Sequence, residues 1–253
     1  MKPFFLTLLY FAGLALSTHN LNAASLHAII VADTLDKNIG HSVAFDLENI
    51  QAEVRNIAFY TELELKETVF KDDQVLPSQL FQAIDQLEIN EDDVIFFYFS
   101  GHGFRTEKKG ETPWPNLYFC SVDQGIEFDW IGKKLENTHP RLLLMMADAC
   151  NNFIPKPIAP PLMRKSIIRE RLIKDNYAKL FLECKGVLMI TSSLAGEFSF
   201  ATKSGGLFTR AFLQHFHSAL EGHAEADWFS ILEHTSDQIG RRQHPDFRMY
   251  FED

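Results

Sequence analysis

A chain of 253 residues, 46% hydrophobic and 23% charged, carries enough apolar material for one sizeable core and needs no disulfide or metal staple to hold it. Its formal net charge of -10 excludes the overall positive field that a nucleic-acid partner requires. The basic run "MRKSIIRER" (163–171) reads as a solvated helix face.

The amino-terminal stretch is set apart from the fold. A positive Lys2, an apolar run from Phe4 to Leu16 and small residues at Ala23 and Ala24 have the proportions of a secretory signal. The run falls short of the roughly 20 apolar residues that span a bilayer. The expectation is a signal peptide over 1–24, export to the periplasm or the medium, no stable membrane insertion after its removal, and a single domain over 25–253.

Beyond it, short apolar runs alternate with amphipathic stretches, the pattern of a mostly parallel sheet covered by helices on both faces. "LHAIIVAD" (26–33) predicts the first buried strand. Val43, Leu47, Ile50, Val54 and Ile57 recur every three or four residues and predict a helix over 41–57. "FYTELELKETVF" (59–70) alternates as a strand, and "LPSQLFQAIDQLE" (76–88) predicts a helix with Pro77 in its first turn. "DVIFFYFS" (93–100), "RLLLMMADAC" (141–150) and "GVLMITSS" (186–193) are continuous apolar runs, as in strands buried on both faces. Helices are predicted over 205–220 and 226–242. Residues 101–115 read as a loop, and so does the proline-rich stretch 151–165, where "IPKPIAPP" forbids a helix interior.

Two of these strands end in reactive side chains. The third runs into "SGHG", with His102 between two glycines, and the fourth ends at Cys150. In an open α/β sheet the ligand crevice lies outside the carboxyl ends of the strands, so parallel neighbours would bring imidazole and thiol to one edge. There the ring can take the thiol proton and leave a nucleophile for a carbonyl. Gly103, without a side chain, can bring its backbone N–H close to a developing oxyanion, and the N–H of Cys150 supplies a second donor.

The motifs "YFSGHG" and "ADAC" resemble those of caspase-like cysteine peptidases, peptidase family C14, whose histidine lies about 50 residues upstream of the cysteine. "LYFCSVD" resembles the strand that precedes the cysteine strand in that family, and "ITSSLAGEFSF…GGLFTRAF" the segment that follows it. The resemblance implies a three-layer fold with helices on both faces of the sheet, and a Cys–His dyad of Cys150 and His102. It also implies a peptide or protein substrate and no organic cofactor. Asp148, two positions before the cysteine, places the chain beside metacaspases and paracaspases. There an aspartate faces a basic side chain before the scissile bond, so cleavage after Arg or Lys is implied; a carboxylate at a pocket floor pairs with a cation and repels an acid. Glu197, Asp33 and Ser192 are further pocket candidates, the last alongside Ser193. Arg164 and Lys165 are bonds such a pocket would accept, so autocleavage there is a further expectation. The chain departs from its relatives after the cysteine, where it reads "CNNFIPKP". It also has only Asp129 where calcium-dependent metacaspases carry paired acids, so no calcium requirement is implied.

Three other readings stand beside this one. The first is a catalytically silent caspase-like domain used for binding. Another is a metal-dependent hydrolase using His41, His102, Asp148 and Cys150, or His215 and His217; without short paired ligand spacings the expectation is no metal site. The third is a peptidase of the legumain or clostripain type, with the same sheet. The cysteine count of three leaves at least one thiol unpaired; Cys120 and Cys184 read as small buried hydrophobes or as a bridged pair.

Overall fold

The computed structural model describes residues 23–153 and 170–252. Most of the expected signal peptide, and the segment carrying Arg164 and Lys165, lie outside the described residues. In chain order the elements are β1 (Ser25–Ala32), α1 (Gly40–Thr61), β2 (Glu64–Lys71), α2 (Pro77–Asp85), β3 (Val94–Ser100), β4 (Gly103–Phe104), β5 (Asn116–Phe119), β6 (Gln124–Glu127), α3 (Phe128–Glu136), β7 (Leu142–Asp148), α4 (Glu170–Ala178), β8 (Gly186–Thr191), β9 (Ala201–Thr202), β10 (Gly205–Gly206), α5 (Leu207–Leu220), α6 (Trp228–Ile239) and β11 (Asp246–Phe251).

Six strands form the central sheet in the order β11-β8-β7-β3-β1-β2. Every pair in it is parallel except β11 with β8. The alternation of side chains along each strand divides the core in two. Ala28, Ile30, Tyr98, Leu144 and Met146 face α1, α4, α5 and α6; Ile29, Val31, Ile95, Phe97 and Met145 face α2 and α3. Both faces of β1, β3 and β7 are therefore covered, which is why these runs are apolar without interruption. No helix among the described residues is long and apolar enough to cross a membrane.

Several expectations are corrected. Phe59 to Thr61 belong to α1, not to the following strand: the buried stripe continues through Ile57, Ala58 and Thr61, and Tyr60 stacks on Tyr177 of α4 with ring centroids 5.0 Å apart. The helix stops at Glu62, whose φ of 61° takes the left-handed conformation. "LYFC" lies at a strand that precedes β7 in the chain and stands apart from the central sheet. Its strand β5 pairs with β4 and β6 in a separate three-stranded antiparallel ribbon. Helix α3 and edge strand β11 were not anticipated; β11 is only partly buried, so it lacks a core strand's apolar run. Cys120 and Cys184 are both free. The Cys120 thiol lies beside Asp33 and Cys184 beside Lys179, so no bridge joins them.

Candidate active site

Register brings the two reactive strand ends together. Strands β3 and β7 pair in parallel with Ser100 opposite Asp148, and the N–H of Gly101 donates to the Asp148 carbonyl at 3.3 Å. His102 and Cys150 each lie two residues beyond that pair. Both line one cavity of about 150 Å³, together with Ser42, Asp46, Asp148, Ser199 and Gly206 among others.

Gly103 justifies its glycine by close approach. A Cβ there would lie 2.4 Å from the Cys150 carbonyl oxygen and 2.8 Å from the Ala149 side chain, distances no side chain tolerates. Strand β4 and the turn that carries Cys150 run side by side, tied by Arg105 N–H donating to the Asn152 carbonyl at 2.9 Å.

The "CNNF" turn is held from all sides. Asn151 is fully buried. Its Nδ2 donates to the carbonyls of Pro113 (2.6 Å) and Ser193 (3.3 Å), and its Oδ1 accepts from Arg105 Nε at 3.2 Å. Its N–H donates to the Glu197 carbonyl, and its own carbonyl accepts from Gly196. The guanidinium of Arg105 also donates to the carbonyls of Gly110 and Thr112, so one amide and one guanidinium fix the histidine loop to the cysteine turn. Asn151→Ala leaves these donors and acceptors unpaired in the interior and is expected to cost about 1–3 kcal/mol. Urea denaturation checks it; a change under a few tenths would refute this role.

The thiol of Cys150 donates to the Ser199 carbonyl at 3.5 Å and accepts from the Ser199 N–H at 3.4 Å. Burial, reinforced by the nearby Asp148 and opposed by the Ser199 N–H, pushes its pKa above the ordinary thiol value and so favours the thiol over the thiolate. The side of His102 away from the cavity was not foreseen. Its Nε2 lies 3.1 Å from Asp36 Oδ2. The other oxygen of Asp36 is fixed by the N–H groups of Asn38 (2.7 Å) and Ile39 (2.9 Å). These bonds and His102 hold the Asp36 pKa below its usual value even though burial pushes the other way. The Asx-type turn that aims Asp36 leaves a trace in "DKNI", but nothing along the chain couples it to His102.

Asp148 lies at the cavity wall, buried, and it is not alone there. Its Oδ1 accepts from Ser199 Oγ at 2.6 Å; its Oδ2 accepts from Thr209 Oγ1 at 2.7 Å and Thr209 N–H at 3.1 Å. Asp46 of α1 accepts from Gly206 N–H and from Ser100 Oγ, each at 2.8 Å. Both carboxylates thus meet the amino-terminal end of α5, where the helix dipole favours negative charge. Burial nevertheless raises both pKa values, and Asp148 raises that of Asp46 further. Gly206 allows the approach: a Cβ there would fall 2.0 Å from Asp148 Oδ2. Asp46 escaped the sequence reading, although "SVAFDLENI" puts it in the apolar stripe, three positions after Val43, where a solvated acid does not belong. Ser42, one turn earlier, lines the same cavity with a buried hydroxyl that has no hydrogen-bond partner among the described residues.

The remaining pocket candidates are placed elsewhere. The Glu197 carboxylate engages His244, accepting from its N–H at 3.0 Å with Nδ1 at 2.8 Å, and does not line the cavity. Ser192 is fully buried and bonds the backbone of Ala149 in both directions; Ser193 donates to the same carbonyl. Both hold the backbone just ahead of Cys150. Asp33 lies under the histidine, its carboxylate hydrogen-bonded by the Cys120 thiol. That carboxylate and burial push Cys120 up to about 12. Asp129 pairs with Lys109 at 2.9 Å. His41 packs on Phe45, while His215 and His217 turn to Gln238 and Glu53 respectively, so neither histidine set converges.

A mostly parallel α/β sheet with a histidine and a cysteine at the carboxyl ends of neighbouring strands defines the class. The model of the caspase domain of peptidase family C14 matches residues 41–249, and the chain belongs to that family. Caspase-1 from Spodoptera frugiperda is similar in fold, with a TM-score of 0.56 at 17% identity over 90% of each chain. A protein from Geobacter sulfurreducens is similar at a TM-score of 0.55 and 15% identity, over 88% of this chain and 92% of that one. No curated protein matches.

Proposed function

We propose that this chain is a cysteine endopeptidase that cleaves after Arg or Lys. The observation that carries the proposal is the buried pair Asp46 and Asp148, set in the wall of the cavity that also holds His102 and Cys150. Two carboxylates and the unpartnered Ser42 hydroxyl match the several donors of a guanidinium and the three of an ammonium. The cation relieves the mutual repulsion of the acids, which the charge of Arg210 offsets only in part.

The chemistry follows from the same atoms. With Asp36 holding Nε2, His102 offers Nδ1 toward the cavity; it takes the Cys150 proton as the sulfur leaves Ser199 and attacks the carbonyl carbon. The N–H groups of Gly103 and Cys150 receive the oxyanion. His102 then protonates the leaving amine and later activates the water that hydrolyses the acyl-enzyme. No organic cofactor takes part.

A panel of fluorogenic peptides with Arg, Lys, Asp or Leu before the scissile bond tests it. Turnover of the Arg and Lys members alone is the expected result. Cleavage after Asp would sink the pocket assignment. If no substrate turns over and iodoacetamide does not label Cys150 faster than free thiols, the domain is a silent binding module.

Export and self-processing complete the proposal. Lys2 and the apolar run support an exported protein, for which amino-terminal sequencing should begin near Ser25; a mature chain starting at Met1 would refute it. Arg164 and Lys165 follow the nucleophile turn in sequence and suit the pocket. Intact mass should therefore show a cut after one of them in the wild type and none in Cys150→Ala; equal masses would rule self-cleavage out.

A further inference from the structure

The back of the catalytic histidine carries a group of donors that peptide hydrolysis does not use. Asp36 and His102 follow neighbouring strands β1 and β3, and Cys120 follows β5 of the ribbon. One ligand atom from each of these three side chains lies within 4.8 Å of the other two, and His102 Nε2 already sits 3.1 Å from Asp36 Oδ2. Beside Cys120 is Asp33, only 6% exposed and hydrogen-bonded by the Cys120 thiol; its Oδ2 has no hydrogen-bond partner among the described residues. A buried, unpaired carboxylate oxygen beside a thiol, an imidazole and a second carboxylate costs free energy unless something positive meets it.

We infer that Cys120, His102 and Asp36, with the buried Asp33 carboxylate adding negative charge beside them, form a Zn²⁺ site that holds the peptidase inactive. The donor set of one sulfur, one nitrogen and carboxylate oxygens suits zinc, whose bonds are about 2.0–2.3 Å, and not calcium, which takes oxygen alone. Such bonds bring tetrahedral donors to roughly 3.5 Å from one another, so small side-chain rotations close the site. Binding releases the Cys120 proton to solvent and uses the Nε2 lone pair of His102, whose remaining proton moves to Nδ1. A metal-bound imidazole protonated at Nδ1 has no lone pair left for the Cys150 proton. The nucleophile stays a thiol until a chelator removes the ion. Coordination by itself needs no redox partner. The inhibitory consequence rests on the peptidase reading; the binding does not.

The two are separated by measuring metal on full-length Cys150→Ala, which has no activity to lose. Co²⁺ as a spectroscopic probe should bind one equivalent per chain with a thiolate-to-cobalt absorption in the near ultraviolet, and Zn²⁺ should displace it. Adding Cys120→Ser should abolish that absorption, and adding Asp33→Asn, which keeps the shape of the side chain, should weaken binding at least tenfold. In the otherwise wild-type chain, Cys120→Ser should keep basal turnover and raise the zinc concentration for half inhibition at least tenfold. Unchanged Co²⁺ binding in both added variants overturns the site. So does a thiolate band present in the wild type and missing from Cys150→Ala, since zinc would then bridge His102 and Cys150 across the cavity. Absence of peptidase activity with the cobalt band intact would sink the peptidase reading and leave the metal site standing.

Discussion

Asp46→Asn is expected to lower kcat/KM for an Arg or Lys peptide by about 30- to 5000-fold, the equivalent of the roughly 2–5 kcal/mol lost when one partner of a buried charge pair is truncated. Alkylation of Cys150 by iodoacetamide should be unchanged, because Asp46 contacts neither reacting side chain. The asparagine fits: its oxygen accepts from Gly206 N–H and its amide donates to Ser100 Oγ, the two partners Asp46 has now. The same substitution should raise stability. Burial and Asp148 lift the folded-state pKa of Asp46 above its usual value. Its contribution to stability is therefore complete below the unfolded value near 3.9 and is lost as pH rises through the folded value. Removing it should raise Tm at pH 7 by several degrees, on a scale where 1 kcal/mol is about 2–4 °C for a domain of this size, and by much less at pH 4. The wild type should bind basic substrates better as pH rises through that same range, because a cation selects the ionised pair. A variant that loses basic and neutral substrates alike, with a lower Tm, would make the two acids mere caps of α5.

His102→Ala should reduce turnover by about 10²–10⁴, the usual share of general acid–base catalysis, and slow alkylation of Cys150 to the rate of an ordinary buried thiol. Asp36→Asn should produce a smaller fall confined to kcat, with KM for the Arg peptide unchanged, since Asp36 touches the histidine and lies outside the basic pocket. Asp36→Glu should recover part of it. The carboxylate stays free to take this role because its second oxygen is anchored by two backbone N–H groups, which keeps the oriented oxygen from following the ring. An Asp36→Asn enzyme with wild-type kcat would remove Asp36 from the machinery and leave it as a turn residue.

The apolar runs 94–100 and 142–148 are legible as buried strands because their residues are apolar on both faces, and the residues that follow them, His102 and Cys150, were legible for the same reason. Asp148 could be named through its place beside the cysteine. Asp36 and Asp46 could not: one lies in a polar turn, the other on a helix, and their relation to the site exists only after β1, β3 and α1 have packed. Glu197 and Ser192 are placed away from the cavity: Ser192 directly follows β8 and Glu197 lies in the loop beyond it, and local partners, the Ala149 backbone for one and His244 for the other, take their polar atoms.

By itself, then, the sequence determined the central strands β1, β3, β7 and β8, through apolar runs that ask for burial on both faces, and the two reactive strand ends, through glycines and chemistry that neighbouring residues announce. Tertiary structure decided what surrounds them. Parallel register, with Ser100 opposite Asp148, set imidazole and thiol on one cavity, and the approach of α5 to β7 brought two acids more than 100 residues apart in the chain against one helix end. Charge interactions act through space at a few ångströms, so a second carboxylate, an orienting aspartate or a thiol behind the histidine has no signature in the order of residues.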